Sequence, residues 1–120
     1  MSTLLRSYST YCHATEPGLW LQHESGRDFV AARYILALQA QSNYTLVIFE
    51  NGSKHLMGIS LSRVLSRLPS ELFVRIHRGH ALNRQYISSR SGLSVSLTDG
   101  SHWAISRRKN RKFLRDDDCL

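Results

Sequence analysis

The sequence predicts a mainly β domain of antiparallel strands with one short amphipathic helix, and two observations carry that expectation. Turn-forming groups recur at close spacing (Glu24-Ser25-Gly26, Asn51-Gly52, Ser91-Gly92 and Asp99-Gly100), and short runs with strand character lie between them. A single segment, Leu61 to Leu68, departs from that punctuation and takes a helical period. Asn-Gly and Asp-Gly accept the positive φ of tight hairpin turns, so the runs beside them read as paired antiparallel strands.

Taken in order, Gly18 to His23 and Asp28 to Tyr34 flank the first turn as strands. Ile35 to Ala40 and Tyr44 to Phe49 follow, and Ser53 to Ile59 comes after Asn51-Gly52. Then Leu61, Val64, Leu65 and Leu68 fall at i, i+3, i+4 and i+7, with Ser62, Arg63, Ser66 and Arg67 between them. Ser60 is placed to cap this two-turn helix, without a capping-box acid three residues on, and Pro69 closes it. Leu93 to Thr98 and His102 to Ser106 flank Asp99-Gly100. In Leu93-Ser94-Val95-Ser96-Leu97 the period is strictly two, the pattern of a half-buried strand. After Ser106 a weakly helical, almost wholly basic stretch is expected.

At 120 residues and 42% hydrophobic, the chain fits one domain with a core of its own. Its unusual feature is charge. Sixteen Lys+Arg against nine Asp+Glu give +7, and thirteen of those cations are Arg, whose planar fork suits phosphates and guanine edges. Residues 71–120 carry net +5 and residues 1–70 only +2, so the cations concentrate at Arg75 to Arg90 and Arg107 to Arg115. A polyanionic partner is expected.

Other classes are disfavoured. Apolar runs such as Leu46–Phe49 are too short to span a bilayer, and the N-terminus lacks a signal peptide's apolar region, so no membrane role and a cytoplasmic location are expected. Cys12 and Cys119 read as reduced thiols. No Gly-rich phosphate loop, G-x-S-x-G or C-x-x-C is present, and Glu16, Glu24, Glu50 and Glu71 are scattered. The expectation is therefore no catalysis, no metal and no cofactor.

The segment Arg75-Ile76-His77-Arg78-Gly79-His80-Ala81-Leu82-Asn83-Arg84 interleaves cations, imidazoles and an amide around Gly79, where strand edges meet a loop. Arg and Asn are the side chains suited to bidentate base contacts. His77 is expected to order this loop through hydrogen bonds rather than touch a base, and Asn83 can cap the turn. His77 and His80 have poor metal-ligand spacing on a strand-loop. Tyr44, Phe49, Phe73 and Trp103 read as core.

Phe73-Val74-Arg75-Ile76-His77-Arg78, followed by Leu82-Asn83, resembles the signature of the LytTR (LytR/AgrA-like) DNA-binding domain. Ala40-Gln41-Ser42-Asn43-Tyr44, Asn51-Gly52, the Leu61–Leu68 helix, and Asp99-Gly100 followed by Ile105-Ser106-Arg107-Arg108 agree with it in order. Gly79 and His80 depart from it, standing where the family usually has another small residue and an aromatic or aliphatic one. The resemblance covers residues 18–115, leaving 1–17 as an N-terminal extension and 116–120, with Asp116-Asp117-Asp118, as an acidic tail.

That resemblance implies an elongated sandwich of small antiparallel sheets with one short α-helix. It also implies a transcription regulator that reads the major groove of double-stranded DNA, sequence-specifically, with loops. By position it assigns base contacts to Asn43, Arg78 and Arg107. Phosphate contacts fall to Arg75, His77, Arg84, Arg108, Lys109, Arg111 and Lys112. Paired direct repeats and a weak homodimer formed on DNA are expected, with no phosphoacceptor domain in a chain this short. The alternative reading is an RNA or single-stranded nucleic-acid binding module without catalysis, which needs aromatics exposed on a sheet face.

Overall fold

The computed structural model describes residues 16–107. Its strands are β1 (Gly18–His23), β2 (Gly26–Ala31), β3 (Ile35–Gln41), β4 (Tyr44–Phe49), β5 (Lys54–Met57), β6 (Phe73–His77), β7 (His80–Asn83), β8 (Ile87–Ser91), β9 (Ser94–Leu97) and β10 (His102–Ala104), with helix α1 (Leu61–Ser66) between β5 and β6. All pairings are antiparallel. β1 and β2 form a hairpin, β10-β9-β8 a three-stranded sheet, and β5-β4-β3-β7-β6 a five-stranded sheet. The expected mainly β sandwich with one short helix is the architecture observed, and the molecule is elongated, 43 × 27 × 25 Å.

The five-stranded sheet is the middle layer, because its strands present apolar side chains on both faces. On one face Leu38, Val47 and Phe49 meet Leu19, Leu21 and Val30 of the hairpin and Leu61, Val64 and Leu68 of the helical segment. On the other, Leu36, Ala37, Val74, Ile76 and Leu82 meet Val95, Leu97 and Ile105. A register shift between Ile35 and Ala37 sends two consecutive side chains, Leu36 and Ala37, to the second cluster, while Ile35 and Leu38 serve the first. Truncating a fully buried leucine such as Leu38 or Leu82 costs about 2–5 kcal/mol in such packing. At Gly18 a Cβ would stand 2.3 Å from the Val30 carbonyl oxygen, so only glycine lets β1 approach β2 there.

The Ser60 hydroxyl caps α1 by accepting from the Arg63 N–H at 3.4 Å. The helix closes at Ser66, a little earlier than its apolar period suggests, yet Leu68 is still buried. The expected Asp28–Tyr34 strand is divided: β2 ends at Ala31, whose successor Ala32 donates its N–H to the Pro17 carbonyl and opens a 3-10 turn, Ala32–Tyr34. The expected Ser53–Ile59 strand shortens to β5, since the Ile59 carbonyl accepts from the Thr45 hydroxyl rather than joining the ladder. Tyr44 is not core as expected. It opens β4 immediately after the hairpin turn, where the sheet ends, and is 49% exposed. The basic stretch expected to be weakly helical, the extension up to residue 15 and the acidic tail lie outside the described residues.

Candidate nucleic-acid interface

One end of the five-stranded sheet collects the chemistry. β3 turns into β4 through Ser42-Asn43, with Ser42 at φ 57°. β7 runs antiparallel to β3 with His80 opposite Gln39, so the Arg78-Gly79 turn that joins β6 to β7 lies at that same end. The Ala40 N–H donates to the Gly79 carbonyl at 2.8 Å and ties the two turns together. The chain after β10 arrives there too: the Ser106 N–H donates to the Ile76 carbonyl at 2.9 Å, which puts Arg107 beside the end of β6. Asn43, Arg78 and Arg107, 64 residues apart at the extremes, are thus brought to one end, and all three are exposed.

The Arg78 turn is held from within. Arg75 donates to the Ser62 hydroxyl of α1 at 3.0 Å and to the Arg78 carbonyl at 2.6 Å, while its Nε is buried without a partner. The guanidinium expected at a phosphate therefore braces the turn against the helix. His77 orders the loop: its Nδ1 accepts the Gly79 N–H at 3.0 Å, which leaves the ring proton on Nε2. The His77 ring stacks on His80 with centroids 4.8 Å apart and planes 7° from parallel. His80 donates from Nε2 to the Ala104 carbonyl at 2.6 Å and meets Trp103 edge to face. Burial holds the His80 imidazole below its ordinary range; the Ala104 carbonyl opposes that, and the neighbouring His77 adds to it.

No acid faces this chemistry from its own stretch of chain, because residues 72–98 contain Arg75, Arg78, Arg84 and Arg90 and no Asp or Glu. Among the described residues the side chains of Asn43 and Arg78 have no hydrogen-bond or ion-pair partner.

Arg84 is not brought to this end. It follows β7 at the far side of the sheet, in the 3-10 turn Arg84–Tyr86, and its N–H donates to the Leu72 carbonyl. Arg108, Lys109, Arg111 and Lys112 lie outside the described residues. Tyr44, exposed beside Asn43, was not legible as part of the site, because an aromatic opening a strand has the same pattern whether it faces core or solvent. The contact that fixes His80 was not legible, since its partner Ala104 is 24 residues away.

Among the described residues no group of three or more His, Cys, Asp or Glu side chains could hold a metal ion, and no helix is long and apolar enough to cross a membrane.

The LytTr DNA-binding domain family matches residues 27–115. Among solved structures, the chain is similar to a LytTr DNA-binding domain from a Bacillus cereus protein described as a methyl-accepting/DNA response regulator. The two share 21% identity at a TM-score of 0.71, covering 83% of this chain and 95% of that one, a likeness of fold. No curated protein matches the sequence.

Proposed function

The chain belongs to the LytTr DNA-binding domain family, and from that membership we propose that it is a transcription regulator whose turns read double-stranded DNA sequence-specifically in the major groove. The observation that carries the reading is the meeting of Asn43, Arg78 and Arg107 at one end of the central sheet, two of them without an internal partner. Asn pairs two-fold with adenine and Arg with guanine in that groove. The Ser42-Asn43 and Arg78-Gly79 turns are about two strand spacings apart, roughly 10 Å, against a groove about 12 Å wide. The 43 Å length of the molecule slightly exceeds one helical repeat of DNA, about 34–36 Å, so cations away from the turns can follow the backbone.

Phosphate contacts in this reading come from Arg108, Lys109, Arg111 and Lys112, with His77 donating from Nε2. Arg75 contributes by positioning Arg78, and Arg84 is the least suited by place. Neutralising Lys109, Arg111 and Lys112 together weakens binding alike on all sequences and flattens the slope of log K against log salt by up to about three units. We further propose that residues 18–115 are the DNA-binding unit, since β1 already feeds the core through Leu19 and Leu21. The protein binds as a monomer that pairs on direct repeats, where the neighbouring site raises its effective concentration. Sedimentation with and without DNA checks this. A tight dimer in the absence of DNA contradicts it.

Selection of bound sites from random duplex DNA tests the main reading. Enrichment of a defined motif, with hairpin RNA and single strands bound at least about ten-fold more weakly (1.4 kcal/mol), supports it. Equal retention of single strands favours the RNA or single-strand alternative, and magnesium-dependent cutting of the probes reveals an enzyme.

A further inference from the structure

Away from the turn-bearing end, Trp20 and Leu56, respectively 52% and 50% exposed, line a single cleft of about 510 Å³. The volume falls within the range of small-molecule sites, about 300–1,000 Å³. Three elements make it: the outer face of the β1–β2 hairpin, the edge strand β5 with its exit through Gly58-Ile59, and Arg67 at the end of α1. The alternation of β1 explains one wall. Leu19 and Leu21 enter the core, so Trp20 and Gln22 face out. Arg27 sits opposite Gln22 in the hairpin register and holds its guanidinium 4.9 Å from the centre of the Trp20 ring. Met57 closes the floor, and His55 stands beside it half-buried.

The lining contains two guanidinium groups, Arg27 and Arg67, and no carboxylate. Among the described residues neither guanidinium has a hydrogen-bond or ion-pair partner. A flat aromatic face, an aliphatic wall and two unpaired planar cations are complementary to a flat apolar body bearing one negative group. A neutral apolar ligand would leave both cations unanswered, and a simple inorganic anion would leave Trp20 and Leu56 in water.

We propose that this cleft binds a small aryl carboxylate, with the ring against Trp20 and Leu56 and the carboxylate between Arg27 and Arg67. Burial pushes the His55 imidazole below its ordinary range, with His23 adding to the effect, so near neutral pH it adds a polar but uncharged edge to the apolar wall.

The test is an amide-resolved NMR titration of the full chain with 2-naphthoate, run beside its neutral analogue 2-naphthamide. The expected result is saturable shifts at the Trp20 indole, Arg27, Leu56 to Ile59 and Arg67, with naphthamide about five-fold weaker or more, the scale of one partly exposed ion pair. Arg27→Gln and Arg67→Gln each weaken naphthoate by a similar factor and leave naphthamide unchanged, while Leu56→Ser weakens both. Equal affinity for acid and amide, or shifts elsewhere on the molecule, overturns the proposal. So does competitive displacement of naphthoate by a short DNA duplex, which would assign the cleft to nucleic acid.

Discussion

The two ends of the central sheet use the same side-chain types to opposite purpose. At the far end, Asn83 is fully buried: it donates to the carbonyls of Ala32 and Ile35 and accepts from the Gln85 N–H. Asn51 accepts from both the N–H and the hydroxyl of Ser53, and Tyr86 donates to the Arg33 carbonyl. At the near end, Asn43 and Arg78 are exposed and have no partner among the described residues. Composition does not separate a structural amide from a recognition amide. Whether the protein's own backbone has already filled its hydrogen-bonding capacity does, because a free donor–acceptor pair can meet a base edge only if folding has not claimed it.

The largest effect expected from this contrast is on stability at the far end. Asn83→Ala leaves the buried Ile35 carbonyl unanswered, takes from the Ala32 carbonyl one of its two donors and removes the cap of a 3-10 turn, so urea unfolding should register a loss of about 3 kcal/mol. DNA affinity of the remaining folded fraction should be unchanged. The near end should behave in reverse. Arg78→Ala and Arg107→Ala are each expected to cost about 1–3 kcal/mol on a selected site, less on random duplex, with unfolding unaltered. Equal losses on both DNAs, measured by fluorescence anisotropy, would make them phosphate contacts instead.

Arg75 lies between the two behaviours and sharpens the comparison. Because it holds the Arg78 carbonyl and the Ser62 hydroxyl, Arg75→Ala should lower both stability and specific binding, each by about 1 kcal/mol. In a double-mutant cycle on DNA binding, Arg75→Ala and Arg78→Ala should fall short of additive, with a coupling of about 0.5 kcal/mol or more. Additive losses would mean that Arg75 meets DNA on its own account.

The smallest expected effect is of pH. Folding holds His80 below its ordinary 6.5, chiefly by burial, and His55 in the same direction for the same first cause. The unfolded chain therefore takes up protons before the folded one does. The stability these groups contribute is present above pH 6.5 and declines as pH falls through their lowered folded values. Urea midpoints measured from pH 7.5 to 5 should decline, and His80→Gln should make that decline shallower.

Much of the fold was legible in the sequence where turns carry glycine after Asn or Asp and where the apolar period is regular, as at β4, β9 and α1. β6, β7 and β8 lack those signals. The β6–β7 turn is Arg78-Gly79, with no Asn or Asp before its glycine, and β6 buries Phe73 on one face and Val74 and Ile76 on the other while Arg75 braces the helix, so its alternating run is short. β8, with the sequence Ile-Ser-Ser-Arg-Ser, is an edge strand with almost no apolar signal. Of the candidate site, Asn43, Arg78 and Arg107 could be nominated from motif position. The structural duty of Arg75 and the distance of Arg84 depend on which strand neighbours which, and a charge pattern does not encode that.

Amide chemical-shift mapping with a selected DNA duplex tests the contrast between the two ends most directly. The account predicts that the largest changes fall at Ser42 to Tyr44, Arg78 to His80 and Ser106-Arg107, with Asn51 to Ser53 and Asn83 to Tyr86 left in place. Changes centred on the far end, or on the Trp20–Leu56 cleft, would contradict it.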